Sequence, residues 1–199
     1  PFAGEAVILD AGHGGEDGGA VSPSGVEESG LNLAIVLRLD QMLGLYGVNT
    51  VLLRTEDVSL HDSDAETLRE KKVSDLHNRV ERIESIEGGT LISIHQNTYP
   101  AEKYHGAQVF YADEASSLPL AQRAQELLKE VLDPTNQRVA ARISDSVYLM
   151  NHITCPAILV ECGFLSNPEE ERLLQDGGYQ LKIAGALTGA YLQMRQEST

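Results

Sequence analysis

Five short runs rich in β-forming residues alternate along the chain with amphipathic helical stretches. The runs are Ala6–Leu9, Thr50–Leu53, Leu91–Ile94, Ala107–Tyr111 and Ala157–Val160. Several are apolar at successive positions, so they offer no polar face to water and must be covered on both sides. Between them lie Leu31–Tyr46, closed by Gly47; a stretch with Val73, Leu76, Val80 and Ile83 at steps of three or four; and one with Leu120, Ala124, Leu127, Leu128 and Val131. Strand followed by helix, repeated, predicts an α/β fold: a mainly parallel twisted sheet with helices on both faces. The 199 residues are enough for one domain with a sizeable core and leave little room for a second. The whole chain, 1–199, is therefore expected to form one domain.

Near the C-terminus Asn167 is expected to cap a helix that opens with Pro168, with Glu170 completing a variant capping box and Gly177–Gly178 ending the helix. A final helix would bury Ile183, Leu187, Ala190, Tyr191 and Met194 on one face. The polar segment Glu56–Lys72 reads as a surface loop. Fifteen basic residues against thirty acidic ones give a formal charge of −15, which repels a polyphosphate and argues against nucleic acid or an anionic membrane as partner. No apolar run reaches the ~20 residues that a transmembrane helix needs. The sequence begins at Pro1 with no Met, so a removed signal segment is expected. Cys155 and Cys162 form no metal-binding pair and read as free core thiols.

In an open parallel sheet, sites form beyond the carboxyl ends of the strands. After the first run comes Asp10-Ala-Gly-His13-Gly-Gly15, after the middle run His95-Gln-Asn97, and after the last Glu161-Cys-Gly-Phe164; Glu28 stands just before the first long helix. Two imidazoles and a carboxylate are a common ligand set for catalytic zinc, and His13, Glu28 and His95 meet that count. Glu161 would then move the proton between water and leaving group. Each residue also has a plainer reading. A histidine beside glycines can simply bond a turn, and Glu28 can be a helix-start carboxylate favoured by the dipole. Glu161 is the sharper signal, because a carboxylate straight after an apolar strand must have its ionisation compensated.

Ile8-Leu-Asp-Ala-Gly-His-Gly-Gly-Glu-Asp-Gly-Gly-Ala20, Gly25-Val-Glu-Glu28, Leu53-Arg-Thr55, Ser93-Ile-His95 and Leu159-Val-Glu-Cys-Gly-Phe-Leu-Ser-Asn-Pro168 together resemble the motifs of the zinc-dependent N-acetylmuramoyl-L-alanine amidases of cell-wall turnover. The resemblance implies one zinc ion per chain held by His13, Glu28 and His95, with Glu161 as the catalytic carboxylate. Of the adjacent Glu27 and Glu28, the family's spacing to Leu33-Ala-Ile35 selects Glu28. Cys162 stands where the family often has Thr, and Gly19 where it often has Pro. Only a short stretch separates Tyr111 from Val147, too short for the autoinhibitory helical insertion of some division amidases.

Val73–Arg79, Ser93–Asn97, His105–Tyr111 and Val147–His152 are similar to the spore-cortex, germination-specific branch, which strips peptide from muramic acid on the way to muramic-δ-lactam. That branch implies peptidoglycan as substrate and an extracytoplasmic location in the cell wall or forespore intermembrane space; because no wall-binding repeat accompanies the domain, targeting or activation is expected to come from a missing N-terminal segment or a protein partner. A vegetative-wall or phage-type amidase, a zinc peptidase acting on stem peptides, and a non-enzymatic wall-binding module are the rival readings. Arg79, at the edge of its helix's buried stripe, calls for an anionic partner. His61, His77 and His105 read as surface groups, and His152 as a reserve ligand.

Overall fold

All six residues of β1 (Ala6–Ala11) are buried, which requires cover on both faces of the strand. In the computed structural model, which describes residues 6–197, β1 lies within a six-stranded sheet. Its other strands are β2 (Thr50–Leu52), β3 (Gly89–Asn97), β4 (Gln108–Tyr111), β5 (Ala141–Arg142) and β6 (Ala157–Phe164). The helices are α1 (Glu28–Leu45), α2 (Leu68–Glu84), α3 (Glu114–Leu132), α4 (Tyr148–Asn151), α5 (Pro168–Leu174) and α6 (Gly177–Glu197).

The strand order is β2-β1-β3-β6-β4-β5. The first four run parallel, as the sequence leads one to expect; β4 pairs antiparallel with β6, and β5 parallel with β4. The reversal follows from the connection between β3 and β4, which contains no helix and is too short for the crossover of a dozen or more residues that parallel strands need. Alternate residues serve the two faces. Val7, Leu9, Ile92, Ile94, Ile158 and Val160 pack in the larger core with residues of α1, α3 and α6. Ile8, Leu91 and Leu159 meet Ile83 of α2 and Leu149 and Met150 of α4 on the other side.

Three boundaries depart from expectation for local reasons. Helix α2 starts at Leu68, inside the expected Glu56–Lys72 loop, because Thr67 and Glu70 form a capping box. The Thr67 hydroxyl accepts from the Glu70 amide at 3.2 Å, and the Glu70 carboxylate accepts from the Thr67 amide at 2.9 Å. Asn167 does cap α5, but Glu170 does not reach back to it, accepting instead from the amides of Gly106 and Phe164. Gly177 and Gly178 open α6 instead of ending α5. Among side chains, Cys162 is buried, whereas Cys155 is only half-buried and Val131 is exposed.

Arg79 is 2% exposed and has the anionic partners its position demands. Its Nη1 donates to Asp10 and, at 3.0 Å, to the Ala11 carbonyl; Nε donates to Asp75 at 2.7 Å and Nη2 to the His13 carbonyl at 2.8 Å. Ser93 adds a 2.6 Å bond to the other Asp10 oxygen. Burial by itself would raise the Asp10 pKa, but Arg79 and Ser93 outweigh it and hold the group below the ordinary carboxylate range. The stability that Asp10 contributes is therefore present above its unfolded pKa of ~3.9 and is lost as pH falls through the lower folded value. Arg79→Met strands the Asp10 charge and is expected to cost about 3–5 kcal/mol in urea unfolding at neutral pH, with Asp10→Asn in the same chain recovering part of the loss.

Candidate metal centre

Strand order reverses direction around β1, whose neighbours are β2 on one side and β3 on the other, and such a switch point opens a crevice at the strands' carboxyl ends. The chain leaving β1 there turns sharply. His13 adopts a left-handed backbone (φ 63°), a conformation uncommon for a residue with a side chain, followed by Gly14 and Gly15 at φ 137° and 61°. Two buried guanidinium groups hold this turn. Arg54 donates to the carbonyls of Ala11 (2.9 Å), Gly12 (3.1 Å) and Ser29 (2.8 Å), while Arg79 takes those of Ala11 and His13. An ionised carboxylate can only accept, so the 3.0 Å contact of His13 Nδ1 with Asp17 makes Nδ1 the donor. Nε2 is left facing Glu28, 3.5 Å from Oε2.

Glu28 is the first residue of α1 and only 3% exposed, whereas Glu27 is exposed, so the structure brings Glu28 and not its neighbour to the histidines. Its carboxylate accepts from His95 Nδ1 (2.9 Å), the Ala20 amide (2.8 Å), the Gln96 amide (3.0 Å) and Asn32 (3.2 Å). Burial would raise its pKa; the His95 bond and the charges of both imidazoles overcome this and bring it down to about 2. His95 moves the other way: burial opposes its charge, but Glu28 and Glu161 raise its pKa. Ligand atoms of His13, Glu28 and His95 all lie within 4.8 Å of one another. Two nitrogens and a carboxylate oxygen suit a borderline divalent ion such as zinc, and the residues fit that role.

His95 and Glu161 lie within β3 and β6 and not beyond them, directly paired in register on adjacent parallel strands. The register then shifts between His95 and Asn97, a bulge of the kind that re-aims side chains beside sites. Burial pushes the Glu161 pKa up to about 7, and its Oε2 is buried without a hydrogen-bond partner among the described residues. Such an orphaned acceptor is costly unless a ligand satisfies it. Glu161, His13 and His95 line a cleft of about 350 Å³ walled on one side by α2 and on the other by Val147–Leu149. His152 is not brought to this group: as the residue capping α4 it stacks on Tyr148 at 3.8 Å and is exposed. His77 and His105 are exposed, and His61 is half-buried against Ser59. The structural roles of Asp17, Asn32 and Arg54 are not evident from sequence reasoning. Asp17 alone carried a local signal, being four residues from His13.

Over residues 7–192 the sequence matches the N-acetylmuramoyl-L-alanine amidase family. It is 37% identical to the germination-specific N-acetylmuramoyl-L-alanine amidase of Bacillus subtilis (strain 168), across 94% of this chain and 78% of that protein. The fold superposes with a TM-score of 0.91 on the CwlD amidase from Clostridioides difficile, solved in complex with the GerS lipoprotein, at 40% identity over 94% of this chain and 96% of that one. The catalytic domain of CwlV from Bacillus (Paenibacillus) polymyxa var. colistinus gives a TM-score of 0.78 at 26% identity, over 96% and 98% of the two chains. Glycines make this packing feasible: a Cβ on Gly12 would stand 2.1 Å from the His95 ring. Gly12→Ala is accordingly expected to displace that imidazole at a cost of about 1–3 kcal/mol, visible as a lowered unfolding midpoint and a shifted His95 ring signal in NMR spectra.

Proposed function

The chain belongs to the N-acetylmuramoyl-L-alanine amidase family, and from that premise we propose that it hydrolyses the amide between N-acetylmuramic acid and L-alanine in peptidoglycan, with His13, Glu28 and His95 holding one zinc ion. The observation that carries this reading is the convergence of two imidazoles and a buried carboxylate within 4.8 Å, beside the unpartnered Glu161 oxygen. When bound, zinc would supply a Lewis acid that polarises the scissile carbonyl and acidifies water. Glu161 takes the proton from the attacking water and returns it to the L-alanine nitrogen as that amine leaves. Asp17 fixes the His13 tautomer, and Glu28 is kept ionised by the imidazoles around it. The substrate would enter the cleft lined by residues of α2 and by Val147–Leu149.

Similarity to the germination-specific enzyme and to CwlD supports a place in spore-cortex remodelling, ahead of muramic-δ-lactam formation, more than a vegetative or phage role. The lipoprotein seen with CwlD supports an extracytoplasmic protein partner for this chain as well, in the cell wall or forespore intermembrane space. Among the described residues no helix is long and apolar enough to cross a membrane.

Digestion of soluble muropeptides is the direct test. Free stem peptide with an L-alanine amino terminus and peptide-free muramic acid, identified by mass spectrometry, are the expected products; shortening within the stem alone would establish a peptidase. Metal analysis should give one zinc per chain, reduced in His95→Ala, and equal content in the two proteins would remove His95 from the site. Glu161→Gln should keep fold and zinc while losing ~10²- to 10⁴-fold in turnover. As a base Glu161 works ionised, so activity falls as pH drops through its pKa. A bound dication favours the carboxylate and places that acid limb below the value of about 7 set by burial.

A further inference from the structure

The cleft does not end at His13. A second hollow of about 150 Å³ lies against the first, sharing His13, Asp17, Lys72 and Asp75 with it and continuing to Ser59 and Lys71. The charged groups of this extension are nearly all committed. Lys71 bonds Glu16 at 2.7 Å. Asp75 accepts from Arg79, from Ser59 and from the Leu60 amide, and Asp17 accepts from His13 and the Gly19 amide. Arg79 is spent on Asp10, Asp75 and two carbonyls. Lys72 differs. Its ammonium pairs with Asp17 at 3.6 Å, beyond hydrogen-bonding distance, and its side chain is 58% exposed and lines both hollows, so its three donors make no hydrogen bond among the described residues.

We infer that Lys72 forms a subsite for a carboxylate of the stem peptide, one residue beyond the L-alanine whose amide is cut. This rests on the amidase reading above. His13 Nδ1 is 3.0 Å from Asp17, which is 3.6 Å from the Lys72 ammonium. Both contacts end on the same Asp17 oxygen, so the ammonium lies no farther from the His13 ring than two extended residues reach at ~3.3–3.6 Å each. The residue after L-alanine in a peptidoglycan stem carries a carboxylate that is either free or amidated, and an ammonium tells these two forms apart. In a protein of formal charge −15, a half-exposed cation that pairs with Asp17 but makes no hydrogen bond among the described residues also offsets the repulsion that an anionic stem would otherwise meet.

The test uses two muramoyl tripeptides that differ only in whether that second residue is a free acid or an amide. Wild type should favour the free acid by about three- to five-fold in kcat/KM through KM, the scale of one partly exposed ion pair, with the preference fading as salt rises. Lys72→Gln should bring the ratio to about one, and Lys72→Glu should invert it. A role confined to bracing Asp17 would alter both substrates alike and leave the ratio where it was. A wild-type ratio of one, or a ratio equal in all three proteins, overturns the subsite while leaving the amidase reading intact. If neither substrate releases L-alanine-terminated stem, the amidase reading and the subsite fall together.

Discussion

Two buried guanidinium groups hold the turn on which the site depends. The chain leaving β1 must expose the His13 side chain while its own carbonyls point into the protein, and buried carbonyls without donors are costly. Arg54 and Arg79 supply those donors to residues 11, 12 and 13 from β2's exit and from α2, two elements distant in sequence. Their planar, multi-donor heads suit the task better than an ammonium would. Because the left-handed His13 backbone is intrinsically unfavourable, the surrounding bonds must over-determine it, and here they do so from both sides.

The buried charges form two groups. In one, Asp10 and Asp75 neutralise Arg79, and Ser93 completes the Asp10 shell. In the other, Glu28 is bound by His95, Asn32 and two backbone amides, so a carboxylate that burial would otherwise neutralise stays ionised. Glu161 alone lacks this support. Its elevated pKa, and an oxygen without a hydrogen-bond partner among the described residues, distinguish it from the other buried acids of the site and support the proton-transfer role proposed for it.

Geometry at the crevice is also steric. Gly12 leaves room for the His95 ring, and a side chain on Gly19 (φ 71°) would meet both Glu28 Oε2 and the His13 ring at 2.7 Å. Gly at 19 is therefore what the packing requires, and Cys162 on the opposite face of β6 from Glu161 is wholly buried among the larger core.

Much of this was legible in the residues themselves. Apolar strands without alternation required a doubly covered sheet, and the placement of His13, His95 and Glu161 towards the carboxyl ends of their strands pointed to a shared edge, because parallel strands joined by helices present those ends on one side. An anionic partner for Arg79 was also implied, since a guanidinium on a buried helix stripe cannot remain unpaired. Sequence alone did not identify that partner as Asp10, reverse β4 and β5, exclude His152, or disclose Asp17, Arg54 and Lys72 around the cleft. Those outcomes depend on which segments meet across the sheet. Side chains far apart in the chain are brought to one edge by strand order, and their hydrogen bonds, desolvation and charge coupling exist only once that edge has formed.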